Sequence, residues 1–429
     1  MKNINAVILA AGKGTRMKSE TAKVLHKIFD KTLLGYVIEE VEKTNLVEKS
    51  FVIVGHQAEA VEKFVKDNYQ NASTALQSPQ LGTGHAVSMV CPELENFQGD
   101  VLILCGDTPL ITAETLSKFA SYHKEQKSDL TVMSAIFQDP TNYGRIIRKA
   151  GMDSSFSDVV AIVEEKDATP EQKAVKEVNA GIYLLNWQKI KPAFSQLTSN
   201  NAQGEYYLTD IISWAVKNSL SVNGYVLENN EEIFGINSKI HLAEASKILN
   251  KRTVEKHMIN GVTIYDPEST WISVDTEIGA DTVIFPNVFI NGKNVIGKKC
   301  SIGPFAHIRG GVELSDGVKI GNFVEVKKAT IQADTNACHL TYIGDCEIGS
   351  NVNIGAGTIT ANYNHFTKQK KNTVIKNGAS IGSNTVLVAP VEIGENASVG
   401  AGSVITKDVS DKALAITRAP MKTIENYVK

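Results

Sequence analysis

The sequence of 429 residues predicts an α/β chain of two architectures: a mostly parallel sheet with helices on both faces, then a parallel β-helix of six-residue repeats. Three observations carry this. Short apolar runs alternate with helix-like stretches through the first part. Glycine and leucine are distributed in opposite senses: residues 1–260 hold 14 of the 32 glycines and 21 leucines, whereas residues 261–429 hold 18 glycines and four leucines (Leu314, Leu340, Leu387, Leu414). Beyond Gly261, Ile-Gly and Val-Gly pairs recur at multiples of six. A segment rich in glycine and Ile/Val but poor in leucine is not made of ordinary helices.

In the first part, residues 5–11 (NAVILAA), Ser50–Val54, Val101–Cys105, Leu130–Phe137 and Gly181–Leu185 read as buried strands. Leu33–Lys43, Ala58–Lys66 and Ala113–Lys124 read as the helices between them. Sheets of this kind bind ligands beyond the carboxyl ends of their strands. The first such loop runs from Ala10 to Met17. It fits neither GxxxxGK[ST] nor GxGxxG, because Met17 stands at the third glycine position. Its glycines still let backbone N–H groups approach phosphate oxygens, and Arg16 and Lys23 add cations. Spacing alone leaves open a tight turn with solvated basic residues. Gln77–His85 (QSPQLGTGH) is a second polar glycine loop. Cys105-Gly106-Asp107 ends a strand in a carboxylate suited to Mg²⁺, although a lone Asp there more often caps a helix. Glu164, Asn179 and Asn237 are polar residues beside apolar runs, each weak alone.

Between the parts, Ile240, Ala243, Ile248 and Leu249 predict an amphipathic joining helix. The expected division is 1–239, a helical linker at 240–260, and 261–429.

In the second part the pairs begin at Ile278, Ile296, Ile302, Ile320, Ile343, Ile348, Ile354, Ile381, Ile393 and Val399. Three hexads make one triangular coil. The phase breaks between Ile320 and Ile343 and between Ile354 and Ile381, where insertions are expected to leave the wall as loops. The first interval holds Glu325, Lys327, His339 and Tyr342, and the second Asn362, Tyr363 and Lys370. His339, read as lying in an irregular segment, is the candidate general base, since imidazole suits proton removal near neutral pH. An acyl-enzyme on Cys338 is a weaker alternative. Periodicity by itself does not exclude a purely structural solenoid.

Composition bounds the function. Hydrophobic residues at 42% supply cores, and 44 Lys plus Arg against 47 Asp plus Glu, net −3, argue against nucleic acid or a membrane as partner. No apolar run approaches the ~20 residues of a membrane span. The N-terminal stretch lacks a signal peptide's apolar core and cleavage site. Five cysteines without CxxC spacing predict neither a disulfide framework nor a zinc site, and a reduced, cytoplasmic protein is expected.

In chain order, LAAGKGTRM, AKVLH, QLGTGHA, GDTPL, YGRI, VEEKDA and NNAQGEYYLTDI resemble the sugar-1-phosphate nucleotidyltransferases. Within them the match is closest to the bifunctional N-acetylglucosamine-1-phosphate uridyltransferase/glucosamine-1-phosphate acetyltransferases, and it covers nearly the whole chain. The resemblance implies a Rossmann-like nucleotide-diphospho-sugar transferase domain, a left-handed β-helix, a homotrimer, Mg²⁺, and acetyl-CoA and UTP as co-substrates. It implies that Leu9, Ala10, Ala11, Gly12, Lys23, Gln77, Gly82 and Thr83 line the nucleotide site. Arg16 and Lys23 would act on the phosphates, and Asp107 and Asn237 would hold the metal. Gly144, Glu164 and Asn179 would hold the sugar. In the second part it implies His339 as base, Arg309, Lys327, Tyr342 and Asn353 for the acetyl acceptor, and Ala356, Asn362, Tyr363, Ser383, Ala401 and Arg418 for acetyl-CoA. One of Lys368, Lys370 and Lys371 would reach the acceptor, Lys370 aligning best.

This sequence departs from the family pattern at Ala22, Cys105 and Ala180, at His307 and Gly310, and at Asn364-His365, where the loop is longer. The stretch 267–301 is shorter than usual, which predicts a stubbier β-helix. A single-activity sugar-1-phosphate nucleotidyltransferase with a structural β-helix is the alternative reading.

Overall fold

The computed structural model describes residues 3–149 and 159–427. Its contacts divide the chain into two compact units, Met1–Ser246 and Lys247–Lys429.

The first unit is built on strands β1 (Ile4–Leu9), β2 (Val47–Val54), β3 (Ala72–Leu76), β4 (Asp100–Cys105), β5 (Leu130–Ile136), β6 (Arg145–Arg148), β7 (Val159–Val163), β8 (Glu177–Asn186) and β9 (Val222–Val226). The main path runs β9-β5-β8-β4-β1-β2-β3, and β6 extends from β8 to pair with β7. β1 is parallel to both neighbours, with Leu9 opposite Ile53 and Cys105. β8 runs antiparallel to β4 and β5, so the sheet is mostly, not wholly, parallel. Alternate residues feed two apolar layers, as strand geometry requires. Ile8, Val52 and Leu104 meet Leu34, Val37 and Ile38 of the helix Leu33–Lys43 on one face. Val7, Ile53 and Ile103 meet Val87, Trp187 and Ile211 on the other.

The expected run at Gly181–Leu185 is part of the longer strand β8. Gly181 adopts φ 73° and the register slips between Asn179 and Tyr183, so a bulge interrupts the apolar pattern.

The joining segment is a helix, Lys239–Ile259, and the division between units falls inside it. Its buried face differs from the expected one. Ile240 and Ala243 are exposed, whereas Ala245, Leu249, Asn250, Thr253, Val254 and His257 are buried. Polar side chains anchor it: Asn250 Nδ2 donates to Thr270 O at 2.8 Å, and its Oδ1 accepts from Ile272 N at 2.9 Å. An apolar-only periodicity could not register that face.

The second unit is a stack of parallel coils. Among the described residues, one face is a sheet of 9 strands beginning at Thr263–Ile264, and the other walls share strands that turn corners, such as Glu325–Ile331 and Tyr342–Ile348. Ile302 pairs with Ile320, then Ile320 with Ala337, Ala337 with Ile354, Ile354 with Ile381 and Ile381 with Val399. These aliphatics point inward and are almost fully buried. The register corrects the first phase break. Between Ile320 and Ile354 two coils advance by 17 residues each instead of 18, so a residue is missing from each and no loop leaves the wall. His339 is therefore not in an irregular segment but ends the strand Asn336–His339, opposite Asn322. The second break is an insertion: Asn353 pairs with Ser380, an advance of 27, and the surplus forms a hairpin with Tyr363 opposite Lys370.

Candidate active sites

A pocket of about 380 Å³ opens beyond the carboxyl ends of β1 and β4. Leu9, Ala10, Ala11, Gly12, Lys23, Gln77, Gly82, Thr83 and Asp107 all line it, bringing together nine residues named from sequence. Local chemistry explains the convergence. Gly14 adopts φ 60°, and a Cβ there would lie 2.8 Å from the Lys23 Cβ, so glycine lets the first loop close on the Lys23 segment. Gly82 adopts φ 117° against the Tyr206 backbone, where a Cβ would stand 2.6 Å from the carbonyl oxygen. Tyr206 N donates to Leu81 O, and Gly84 N donates to Tyr206 O, both at 2.8 Å. Buried Gln77 donates to Gly82 O at 2.9 Å, and the Thr83 hydroxyl accepts from Leu208 N at 3.1 Å.

Lys23 forms an ion pair with Asp107 and donates to Asn237 Oδ1 at 3.3 Å. Oxygens from two distant segments thus converge on one cation. Among the described residues, no group of three or more His, Cys, Asp or Glu is placed to hold a metal; the side-chain oxygens that meet the Lys23 ammonium are one carboxylate and one amide. Arg16 is exposed on the turn Thr15–Met17, which is anchored by buried Met17, and is not a lining residue.

The three sugar-side residues form a cluster of their own. Asn179 N donates to Gly144 O at 2.8 Å, and its side chain donates to Tyr183 Oη at 2.8 Å while accepting from Gly181 N at 3.0 Å. The Thr209 hydroxyl donates to Glu164 Oε1 at 3.1 Å. Burial raises the Glu164 pKa; that hydrogen bond opposes the shift, and Asp167 and Asp210 add to it. Cys105 connects cluster and pocket: it lines the pocket, and its sulfur lies 3.3 Å from where a Gly181 Cβ would stand.

Sequence reasoning did not single out Lys13, Val24, Gln80, Ala86 or Glu205 as lining residues. Gln80 donates to Ala11 O and had a signal, its place in the polar loop. Glu205 lies in a recognised motif, but only folding brings it to the pocket.

In the second unit, Arg309, Lys327 and Gly344 are successive partners on one wall. Arg309 is 2.8 Å from Glu325. Lys370, from the hairpin, is 3.8 Å from Asp345 and lies beside Lys327. The adjoining Lys370 ammonium is the main reason the Lys327 pKa is lowered; burial and Arg309 add to the shift, and Asp345 opposes it. Asn362 donates to Asp345, and Lys371 N donates to Asn362 O at 2.9 Å, which fixes the hairpin base. The Tyr342 hydroxyl lies over Gly344, where a Cβ would collide with it. Lys370, not Lys368 or Lys371, is thus the hairpin lysine in the ion pair with Asp345 beside Lys327. Asn353 stands in a different sheet, paired with Asn336 and Ser380.

His339, Ala356, Ser383 and Ala401 occupy equivalent positions in four successive coils, each two residues beyond the inward aliphatic of its rung. Asn384 N donates to Ala356 O at 2.7 Å, Gly402 N to Ser383 O at 2.8 Å, and Arg418 Nη1 to Ala401 O at 2.9 Å. At ~4.8 Å per rung, the column from His339 to Ala401 spans roughly 14 Å. His339 and Arg418 are exposed. The column ends one wall and the Arg309–Lys327 cluster stands on the next, with Leu340 (φ 48°) turning the corner between His339 and Tyr342 and Lys328 (φ 45°) turning the corner beyond Lys327.

A strand-end pocket lined by glycines and cations, on the same chain as a β-helix edged with polar side chains, defines a nucleotidyltransferase joined to a hexapeptide-repeat transferase. The nucleotidyl transferase profile matches residues 5–233, and the bacterial transferase hexapeptide profile (six repeats) matches 295–328 and 372–407. The chain belongs to the family of bifunctional GlmU proteins. It is 43% identical to the bifunctional protein GlmU of Geobacillus sp. (strain WCH70), over 99% of this chain and 97% of the relative. It is 45% identical to that of Caldanaerobacter subterraneus subsp. tengcongensis, over 100% and 98%. The first alignment spans 456 positions against 429 residues, so that relative carries segments this chain lacks. The parallel coils and hexapeptide repeats are consistent with a left-handed β-helix. Among the described residues no helix is long and apolar enough to cross a membrane.

Proposed function

We propose that this chain makes UDP-N-acetylglucosamine by two reactions. It transfers acetyl from acetyl-CoA to glucosamine 1-phosphate, then uridylyl from UTP to N-acetylglucosamine 1-phosphate with release of pyrophosphate. The carrying observation is that two constellations of different chemistry stand on the two units of one chain: the Lys23–Asp107 pocket and the His339 column with its neighbouring lysines.

Uridylyl transfer belongs to residues 1–239. Gly12 and Gly82 offer close backbone approach to the nucleotide, Gln77 and Thr83 hold the loop, and Gly144, Glu164 and Asn179 hold the sugar. A sugar phosphate oxygen attacks the α-phosphorus and pyrophosphate leaves, so no covalent enzyme group is needed. Lys23, and the exposed Arg16, offset charge on the phosphates. Asp107 and Asn237 fit Mg²⁺, because their oxygens already converge on a cation. Bound there, Mg²⁺ would neutralise phosphate charge.

Acetyl transfer belongs to residues 261–429, with residues 240–260 as the helical join. His339 takes a proton from the ammonium of glucosamine 1-phosphate, the amine attacks the thioester carbonyl, the C–S bond breaks, and CoA leaves as the thiol with the second amine proton. Arg309, Lys327 and Lys370 bind the acceptor phosphate, and Tyr342 and Asn353 the sugar. Acetyl-CoA lies along Ala356, Ser383, Ala401 and Arg418, with Asn362 and Tyr363. Since the column and the lysine cluster stand on two different walls of the coil, a homotrimer in which neighbouring chains complete each site is the assembly this reading requires.

Opposite single-site losses test it. His339→Ala abolishes acetyl transfer and spares uridylyl transfer, and Asp107→Asn does the reverse. Loss of both activities in either folded variant overturns the division of labour.

A further inference from the structure

The atoms that recommend Asp107 and Asn237 as cation ligands are engaged by Lys23. The ammonium and carboxylate are both largely shielded, with side-chain exposures of 14% and 17%, so their attraction is not fully screened. The stem of Lys23 runs beside Gly14, where an added Cβ would lie 2.8 Å from the Lys23 Cβ. Lys23 also lines the nucleotide pocket beside Gly12 and Lys13, where phosphates would lie. Its three rotatable donors suit a group that exchanges partners. The side chains that hold Lys23 give this position one carboxylate and one amide oxygen, fewer than a divalent cation takes, and a nucleotide's phosphates are the natural source of more.

We propose that Lys23 is a tethered counter-cation that exchanges with the metal: it holds Asp107 and Asn237 against free divalent cations and yields them only to a cation arriving with nucleotide phosphates. On exchange the ammonium trades one carboxylate for a phosphate, so no charge is left uncompensated. Lys23 thereby makes metal loading depend on nucleotide, which deepens the reading of the pocket given above and rests on it.

Mn²⁺ binding to the full chain without nucleotide, followed by the electron paramagnetic resonance of free Mn²⁺, tests this. Lys23→Met is expected to bind one Mn²⁺ about tenfold more tightly than the unmodified protein, the scale of one hydrogen bond to a charged group. Asp107→Asn in the same background should remove the gain. Unchanged or weaker Mn²⁺ binding in Lys23→Met, with Asp107-dependent binding in the unmodified protein, overturns the exchange but leaves the metal position standing. No Asp107 dependence in either background overturns both. A second readout needs no variant: amine labelling of Lys23 by acetic anhydride should be unmoved by Mn²⁺ alone and altered by Mn²⁺ with a non-hydrolysable UTP analogue. Labelling that responds equally to Mn²⁺ alone overturns the proposal.

Discussion

Glu232 and Thr112 lie 120 residues apart in sequence, yet the Glu232 carboxylate accepts from both the N–H and the hydroxyl of Thr112, each at 3.1 Å. It also accepts from the Thr115 hydroxyl at 3.0 Å, at the start of the helix Ala113–Glu125. The negative charge sits where the helix dipole and free N–H groups favour it. Glu232→Ala leaves these part-buried and buried donors without the carboxylate and should cost about 2–3 kcal/mol. Urea unfolding followed by Trp fluorescence should show the loss, with acetyl transfer unchanged.

Gly82→Ala should reduce kcat/KM for uridylyl transfer by about 10²-fold, since a Cβ would displace the loop against the Tyr206 backbone. The φ of 117° adds strain for any side chain. Acetyl transfer, measured on the same preparation, should be unaffected.

Lys327 should lose its proton at a pH below the ordinary lysine range, chiefly because of Lys370. Proton loss removes a cation from the acceptor phosphate, so KM for glucosamine 1-phosphate should climb as pH rises. Lys370→Met relieves the repulsion. It should have a higher KM at neutral pH but begin its climb at higher pH. An unshifted profile would exclude the Lys327–Lys370 contact as the cause.

His123 is buried with its Nδ1 2.7 Å from the Thr131 hydroxyl, and burial lowers its pKa to about 4. The unfolded chain binds a proton near pH 6.5 that the folded chain refuses until about pH 4. Stability should therefore fall as pH drops through that window, by about 2–3 kcal/mol from this group. His123→Gln should flatten the dependence, as read by denaturant midpoints at pH 7, 5.5 and 4.

Much of this was legible because it is periodic or contiguous. The helix Leu33–Lys43 has the expected bounds, and the strand cores of β1, β2, β4 and β5 were visible as apolar runs. Ile302, Ile320, Ile354, Ile381 and Val399 declare the β-helix because each rung must bury one aliphatic. The first phase break was misread, since a spacing of 23 between two pairs does not say whether residues were gained or lost. Only strand register shows coils one residue short and returns His339 to a strand. The joining helix was misread at Ile240 and Ala243 because its buried face carries Asn250, Thr253 and His257, polar residues that hydropathy places outside.

By itself, the sequence determined which segments form strands, helices and coils, for these follow from local propensity and periodic burial. It also limited the chemistry to a set of glycine loops, cations and one prominent histidine. Tertiary structure alone decided which of them meet. It joined Lys23 to Asp107 and Asn237 across 84 and 214 residues, placed Lys370 beside Lys327, and aligned His339, Ala356, Ser383 and Ala401 on one edge. Hydrogen-bond register and the pairing of charges across distant segments act through space, so no spacing along the chain records them.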